Sequence, residues 1–169
     1  EIQACDWSSD VCSSDLLVSG LIASFPAGPA QQSLDSEIAE PDPIFICGML
    51  RSGSTLAERL LARHPAVFAG GELEAVPAMA SDLAGYPQAA ARLSLAEVEA
   101  MRDRYLSETF GLPATGKRLV DKRPDNFLHL GLIKLLFPRA KIVNTVRNAD
   151  DIALSVFGNL FAEGVPYAH

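Results

Sequence analysis

IFICGMLRSGSTLAERLL, residues 44–61, opens on a short apolar run, turns between two glycines and closes in a helical pattern. The run Ile44–Cys47 shows no polar alternation, as expected of a strand buried on both faces of a parallel sheet. Gly48 to Gly53 is a turn. A helix is expected to follow, with Leu56, Leu60 and Leu61 inward and Glu58, Arg59 and Arg63 outward. His64-Pro65 stops it, because the residue before a proline is pushed out of helical geometry. Gly48–Thr55 has the glycine spacing of a phosphate-binding loop. Glycines let the backbone fold so that N–H groups converge, and the helix N-terminus adds partial positive charge. Ser54 stands where the Lys of an ATP-binding loop would be. Arg51 can supply a full charge instead, with Ser52, Ser54 and Thr55 adding hydroxyls. Transfer of a γ-phosphate is therefore a poor match, and binding of a nucleotide's 5'-phosphate a better one. The bland alternative is a Ser/Gly turn that merely joins strand to helix.

Downstream, Ser94 to Glu97 reads as a capping box opening a helix through about Glu108. Arg118–Asp121 is a strand candidate ending at Lys122. Phe127–Phe137 reads as a buried helix closed by Pro138, and Lys141–Val146 as a second parallel-type strand. Asn148 is placed to cap a helix carrying Ile152, Val156 and Leu160, with Asp150 and Asp151 in its first turn. This order predicts an α/β fold of the P-loop type, with three layers: a parallel sheet flanked by helices. Arg51, Lys122 and Arg147 each follow a predicted strand. Ligands of such sheets bind beyond the carboxyl ends of the strands.

The chain has 169 residues, 49% of them hydrophobic and 21% charged, which suits one soluble globular domain. A formal charge of −7 argues against a nucleic-acid partner. Leu16–Phe25 is too short to span a membrane and no basic leader precedes it, so no membrane partner and a cytoplasmic location are expected. Residues 6–16, DWSSDVCSSDL, have no structural period and resemble a translated sequencing adapter. Residues 1–16 are therefore expected to be an artefactual, disordered lead, residues 17–43 a linker, and residues 44–169 the domain. Without residues 1–16, which hold Glu1, Asp6, Asp10 and Asp15 and no Lys or Arg, the formal charge is −3. Only Cys47 then remains, so neither disulfides nor a cysteine metal site is expected.

GMLRSGSTL, His64-Pro65, GGELEAVP, DKRPDNFLHLGLI, LFPRAKIV and VRNADDIALSVF together resemble sulfotransferases, most closely the tyrosylprotein sulfotransferase-like group. The resemblance covers about residues 40–169. It implies 3'-phosphoadenosine 5'-phosphosulfate (PAPS) as donor, no metal, and a hydroxyl-bearing acceptor, either a small molecule or a protein tyrosine. It further implies that Arg51, Ser52, Gly53, Ser54 and Thr55 bind the 5'-phosphosulfate and that Arg147 and Ser155 hold the 3'-phosphate. Glu72 matches the general base, and Lys122 a Lys beside the bridging oxygen, with Arg51 as a further stabiliser of charge. Bacterial members often carry tetratricopeptide repeats upstream, and members continue well beyond His169, so a C-terminally truncated fragment, inactive or weakly active, is expected. Leu50 departs from the usual Pro. Glu74 competes with Glu72, or pairs with a basic group. Taken singly, Glu72 could be a helix N-terminal acid, Lys122 a surface Lys and Arg147 a partner of Asp150 or Asp151. His64 reads as structural, and His129 is a minor candidate for the base. The competing functions are a P-loop kinase-like phosphotransferase and a nonenzymatic nucleotide-binding module.

Overall fold

Four parallel strands lie side by side in the order β2-β3-β1-β4. They are β1 (Ile44–Gly48), β2 (Val67–Ala69), β3 (Arg118–Lys122) and β4 (Lys141–Thr145). The computed structural model describes residues 17–25, 42–109 and 116–158. Its helices are α1 (17–24), α2 (Ser54–Leu61), α3 (Ala75–Asp82), α4 (Leu95–Thr109), α5 (Leu130–Leu136) and α6 (Ala149–Phe157). A 3-10 helix, Pro124–His129, leads into α5. Among the described residues no helix is long and apolar enough to cross a membrane. The expected α/β architecture, a parallel sheet between helices, is the observed one. The lead-in readings for residues 1–16 and 26–41, and Leu160, lie outside the described residues, while 17–24 is helical.

β1 is buried along its whole length because it is central, with β3 on one side and β4 on the other. Alternation sends Phe45 to one sheet face and Ile44 and Ile46 to the other. Phe45 joins Tyr105, Phe137 and the apolar sides of α3, α4 and α5. Its ring centroid lies 5.9 Å from each of the other two, spacing at which aromatic pairs attract beyond their area burial. Ile44, Ile46 and Val120 pack instead with Ala57, Leu61, Val67 and Val143. The capping box forms as expected: Ser94 N–H donates to Glu97 Oε2 at 2.8 Å and Glu97 N–H to Ser94 Oγ at 3.4 Å.

Two expected burial patterns are corrected. Leu56 and Leu60 of α2 are 62% and 64% exposed, whereas Glu58 is only 7% exposed. The short helix is oriented by the loop that begins it: Ser54 is buried there, which turns Ala57, Glu58 and Leu61 inward. Phe127 is exposed, because the segment before Leu130 winds as a 3-10 helix that turns Asn126 inward instead. β2 and α3 were not foreseen. A strand of three residues is too short to show a period, and α3 carries Pro77 near its start.

Candidate functional site

Gly48 ends β1 at φ +139°, and a Cβ there would run into the Thr145 carbonyl oxygen and hydroxyl. Glycine is thus what lets β4 close against the loop. Ser52 N–H donates to the Met49 carbonyl at 3.1 Å, tightening the turn. Thr145 Oγ1 donates to the Cys47 carbonyl at 3.1 Å, so at the 2.7 Å contact between the two hydroxyls Ser52 Oγ is the donor. Arg51 has φ +66°, a left-handed conformation that costs a non-glycine residue about 1–2 kcal/mol. Such strain collects at binding sites. Ser52 and Ser54 are buried, and Thr55 and Gly53 lie at the surface.

The β4 side of the loop carries the residues expected at a 3'-phosphate. Asn148 Oδ1 accepts from the backbone N–H groups of Asp150 and Asp151 at 2.8 and 3.3 Å, starting α6. α6 thereby brings Ser155 over the loop, where Arg51 Nε donates to Ser155 Oγ at 2.9 Å. Arg147 Nη1 lies 3.5 Å from the Arg51 carbonyl oxygen, and its Nε pairs with Asp151 at 3.3 Å. Two arginines and a hydroxyl separated by about a hundred residues of sequence converge on one exposed spot.

The β3 side carries Glu72 and Lys122, the residues expected as general base and as the Lys beside the bridging oxygen. Ile46 is in register with Lys122, so the Lys stands beside the end of β1. Gly70 and Gly71 run on past β2 along β3: Gly70 N–H donates to the Val120 carbonyl and Lys122 N–H to the Gly71 carbonyl, both at 2.8 Å. This track delivers Glu72 to Lys122, whose Nζ donates to Glu72 Oε1. The Lys122 side chain is 8% exposed and that of Glu72 56%. Glu74, the competing carboxylate, pairs with Arg123 at 2.5 Å. Arg123 also grips Asp125 through two hydrogen bonds of 2.9 and 3.0 Å, which raise the guanidinium pKa.

Behind this pair lie groups that the sequence reading did not single out. Asp121 is fully buried, accepts from the Tyr105 hydroxyl at 3.0 Å and faces Asn126 Nδ2 at 3.4 Å. Burial pushes its pKa up to about 6, against the opposing effect of those two hydrogen bonds. Asn126 Nδ2 also reaches the Ile46 carbonyl at 3.3 Å, tying the ends of β1 and β3 together. The available signal was an Asp that directly follows the apolar pair Leu119-Val120 inside a strand candidate. His64 Nδ1 accepts from Ala66 N–H at 3.1 Å, a turn contact. His129 Nδ1 lies 3.3 Å from the Tyr86 hydroxyl, and burial lowers its pKa. Among the described residues no group of three or more His, Cys, Asp or Glu is placed to hold a metal ion.

The strand-end loop and the two clusters that flank it lie within residues 43–169, which fit the Sulfotransferase family. The chain belongs to the sulfotransferase family. An uncharacterized protein of Aquifex aeolicus (strain VF5) is 35% identical over 131 residues, covering 71% of this chain and 17% of that protein. The chain thus spans about a sixth of the length of the relative it matches.

Proposed function

We propose that this domain transfers a sulfuryl group from PAPS to an acceptor hydroxyl, with a protein tyrosine as the candidate acceptor. The observation that supports this most is the arrangement of one anion loop between a doubly basic cluster and a Lys–Glu pair. The loop N–H groups, Arg51, Ser52, Gly53, Ser54 and Thr55 would hold the 5'-phosphosulfate, and Arg147 and Ser155 the 3'-phosphate. The fit is chemical: guanidinium groups, hydroxyls and a helix N-terminus all prefer phosphate-type oxygens. When bound, the donor supplies an activated sulfuryl group on a phosphate leaving group.

Glu72, exposed at the mouth, takes the proton of the acceptor hydroxyl as that oxygen bonds to sulfur. The bond between sulfur and the phosphate oxygen breaks, and the leaving group departs as adenosine 3',5'-bisphosphate. Lys122 and Arg51 stabilise the negative charge that develops on the departing oxygen and on the transferred group. The Lys122 side chain is buried and that of Glu72 is open to solvent, so the carboxylate is the more accessible member of the pair. Tetratricopeptide repeats upstream belong to this reading of the intact protein, and its complete reading frame tests them.

Calorimetry with adenosine 3',5'-bisphosphate and with ATP plus Mg²⁺ is the direct test of the donor. The bisphosphate is expected to bind and ATP–Mg²⁺ to bind more weakly. The reverse order would favour a phosphotransferase instead. Transfer of radiolabelled sulfate from PAPS to a tyrosine-containing peptide tests the acceptor class.

A further inference from the structure

Glu58 is the anomaly of α2. On one short helix, two leucines face outward and a carboxylate is 7% exposed. Removing a carboxylate from water is costly unless it has a partner. The partner is a backbone group: Gly71 N–H donates to Glu58 Oε1 at 2.8 Å. The carbonyl of the same residue accepts from Lys122 N–H at 2.8 Å. Gly71 has φ +73°, a turn conformation that only a few residue types adopt easily. It is therefore held from both sides, and the next residue is Glu72.

We infer that Glu58 is a positioning residue that sets the candidate base against the candidate donor site, an inference that rests on the proposed sulfuryl transfer. The helix that carries Glu58 begins at Ser54 in the phosphate loop. One turn of rigid helix, about 6 Å along its axis, thus separates the anion site from the carboxylate that anchors the Glu72 turn. Gly71 is tied to this helix by Glu58 and to β3 by Lys122, so Glu72 keeps its place beside Lys122 Nζ. Reacting groups misplaced by about 1 Å can lose a hundredfold in rate, so a single hydrogen bond of this kind has kinetic weight.

The test uses the intact protein with Glu58→Met, which keeps the stem but removes the acceptor, and Glu58→Gln, which keeps a carbonyl acceptor. Glu58→Met is expected to lower kcat about tenfold to a hundredfold, with the calorimetric Kd for adenosine 3',5'-bisphosphate unchanged. Glu58→Gln should restore most of the loss. In a Glu72→Ala background, Glu58→Met should have little further effect, because both changes act through one group. Amide exchange at Gly71, followed by NMR, should accelerate in the Met variant and not in the Gln variant. An unchanged kcat in the Met variant, a Gln variant as impaired as the Met variant, or additive losses with Glu72→Ala would each overturn the inference. If wild-type protein neither binds the bisphosphate nor transfers sulfate, the functional reading falls instead. The Gly71 exchange rates then still decide whether Glu58 clamps the turn, and equal rates in all three proteins would refute the clamp.

Discussion

On its β3 side the Gly48–Gly53 loop meets groups that are already paired and largely buried: Lys122 on Glu72, Asp121 on Tyr105, Asn126 on the Ile46 carbonyl. On its β4 side it meets Arg147 and α6, a helix with no buried residue, held to the loop through Arg51 and Ser155. The first flank is fixed by packing before any ligand arrives. The second consists of long side chains on a lightly packed helix, and a bound phosphate would have to supply part of their order. Under the proposed function, chemistry that depends on distance would fall to the rigid flank, and capture of the nucleotide to the adaptable one.

The largest expected effect belongs to the rigid flank. Glu72→Gln should reduce turnover about 10²- to 10⁴-fold, the usual range for a general base, with bisphosphate affinity retained. Steady-state kinetics paired with calorimetry would read it, and equal loss in both quantities would erase the proposed division between flanks.

Asp121 gives the next effect, in stability. Its folded pKa of about 6 lies above the ordinary carboxylate value, chiefly because of burial. The folded state thus holds this proton to a higher pH than the unfolded chain does. The stabilising contribution is complete below about pH 4 and is lost as pH rises through 6, about 3 kcal/mol in all. Asp121→Asn keeps an acceptor for Tyr105 and cannot ionise, so it should gain stability relative to wild type between pH 4.5 and 7. Urea unfolding at the two pH values checks this, and a constant gap would assign the buried charge elsewhere.

The adaptable flank predicts smaller changes, in binding alone. Arg147→Ala should weaken adenosine 3',5'-bisphosphate about tenfold to a hundredfold, as expected for hydrogen bonds to a charged group. The weakening should shrink for adenosine 5'-phosphate, which lacks the 3'-phosphate. Ser155→Ala, which removes one neutral hydroxyl, should cost about threefold to tenfold by the same measure. A kcat loss larger than the Kd change in either variant would move that residue to the rigid flank.

The sequence made legible what is encoded locally. The uninterrupted apolar run of β1, the glycine-bounded loop, the Ser94–Glu97 box and the Asn148 cap each need only a few adjacent residues, and each appears where expected. Strands β3 and β4 were found within a residue or two for the same reason. Burial that depends on distant partners was not legible. Glu58 is inside because Gly71 needs an acceptor there, and Leu56 is outside because Ser54 and Ala57 occupy the sheet side. The pairing of Glu74 with Arg123, and so the choice of Glu72 for Lys122, depends on chain segments some fifty residues apart. Ser155 lies well inside its helix, and only the resemblance nominated it.

The central position of β1 has a consequence for synthesis. Its neighbours come late: Cys47 lies beside Asn144, 97 residues further along the chain. At about 5–20 residues per second, the ribosome delivers β4 some 5–20 seconds after β1. Through that interval Phe45 and Ile46, the innermost residues of the finished sheet, have no completed core to enter. The strand that carries the Gly48–Gly53 loop is thus also the segment most in need of shelter while the polypeptide is being made.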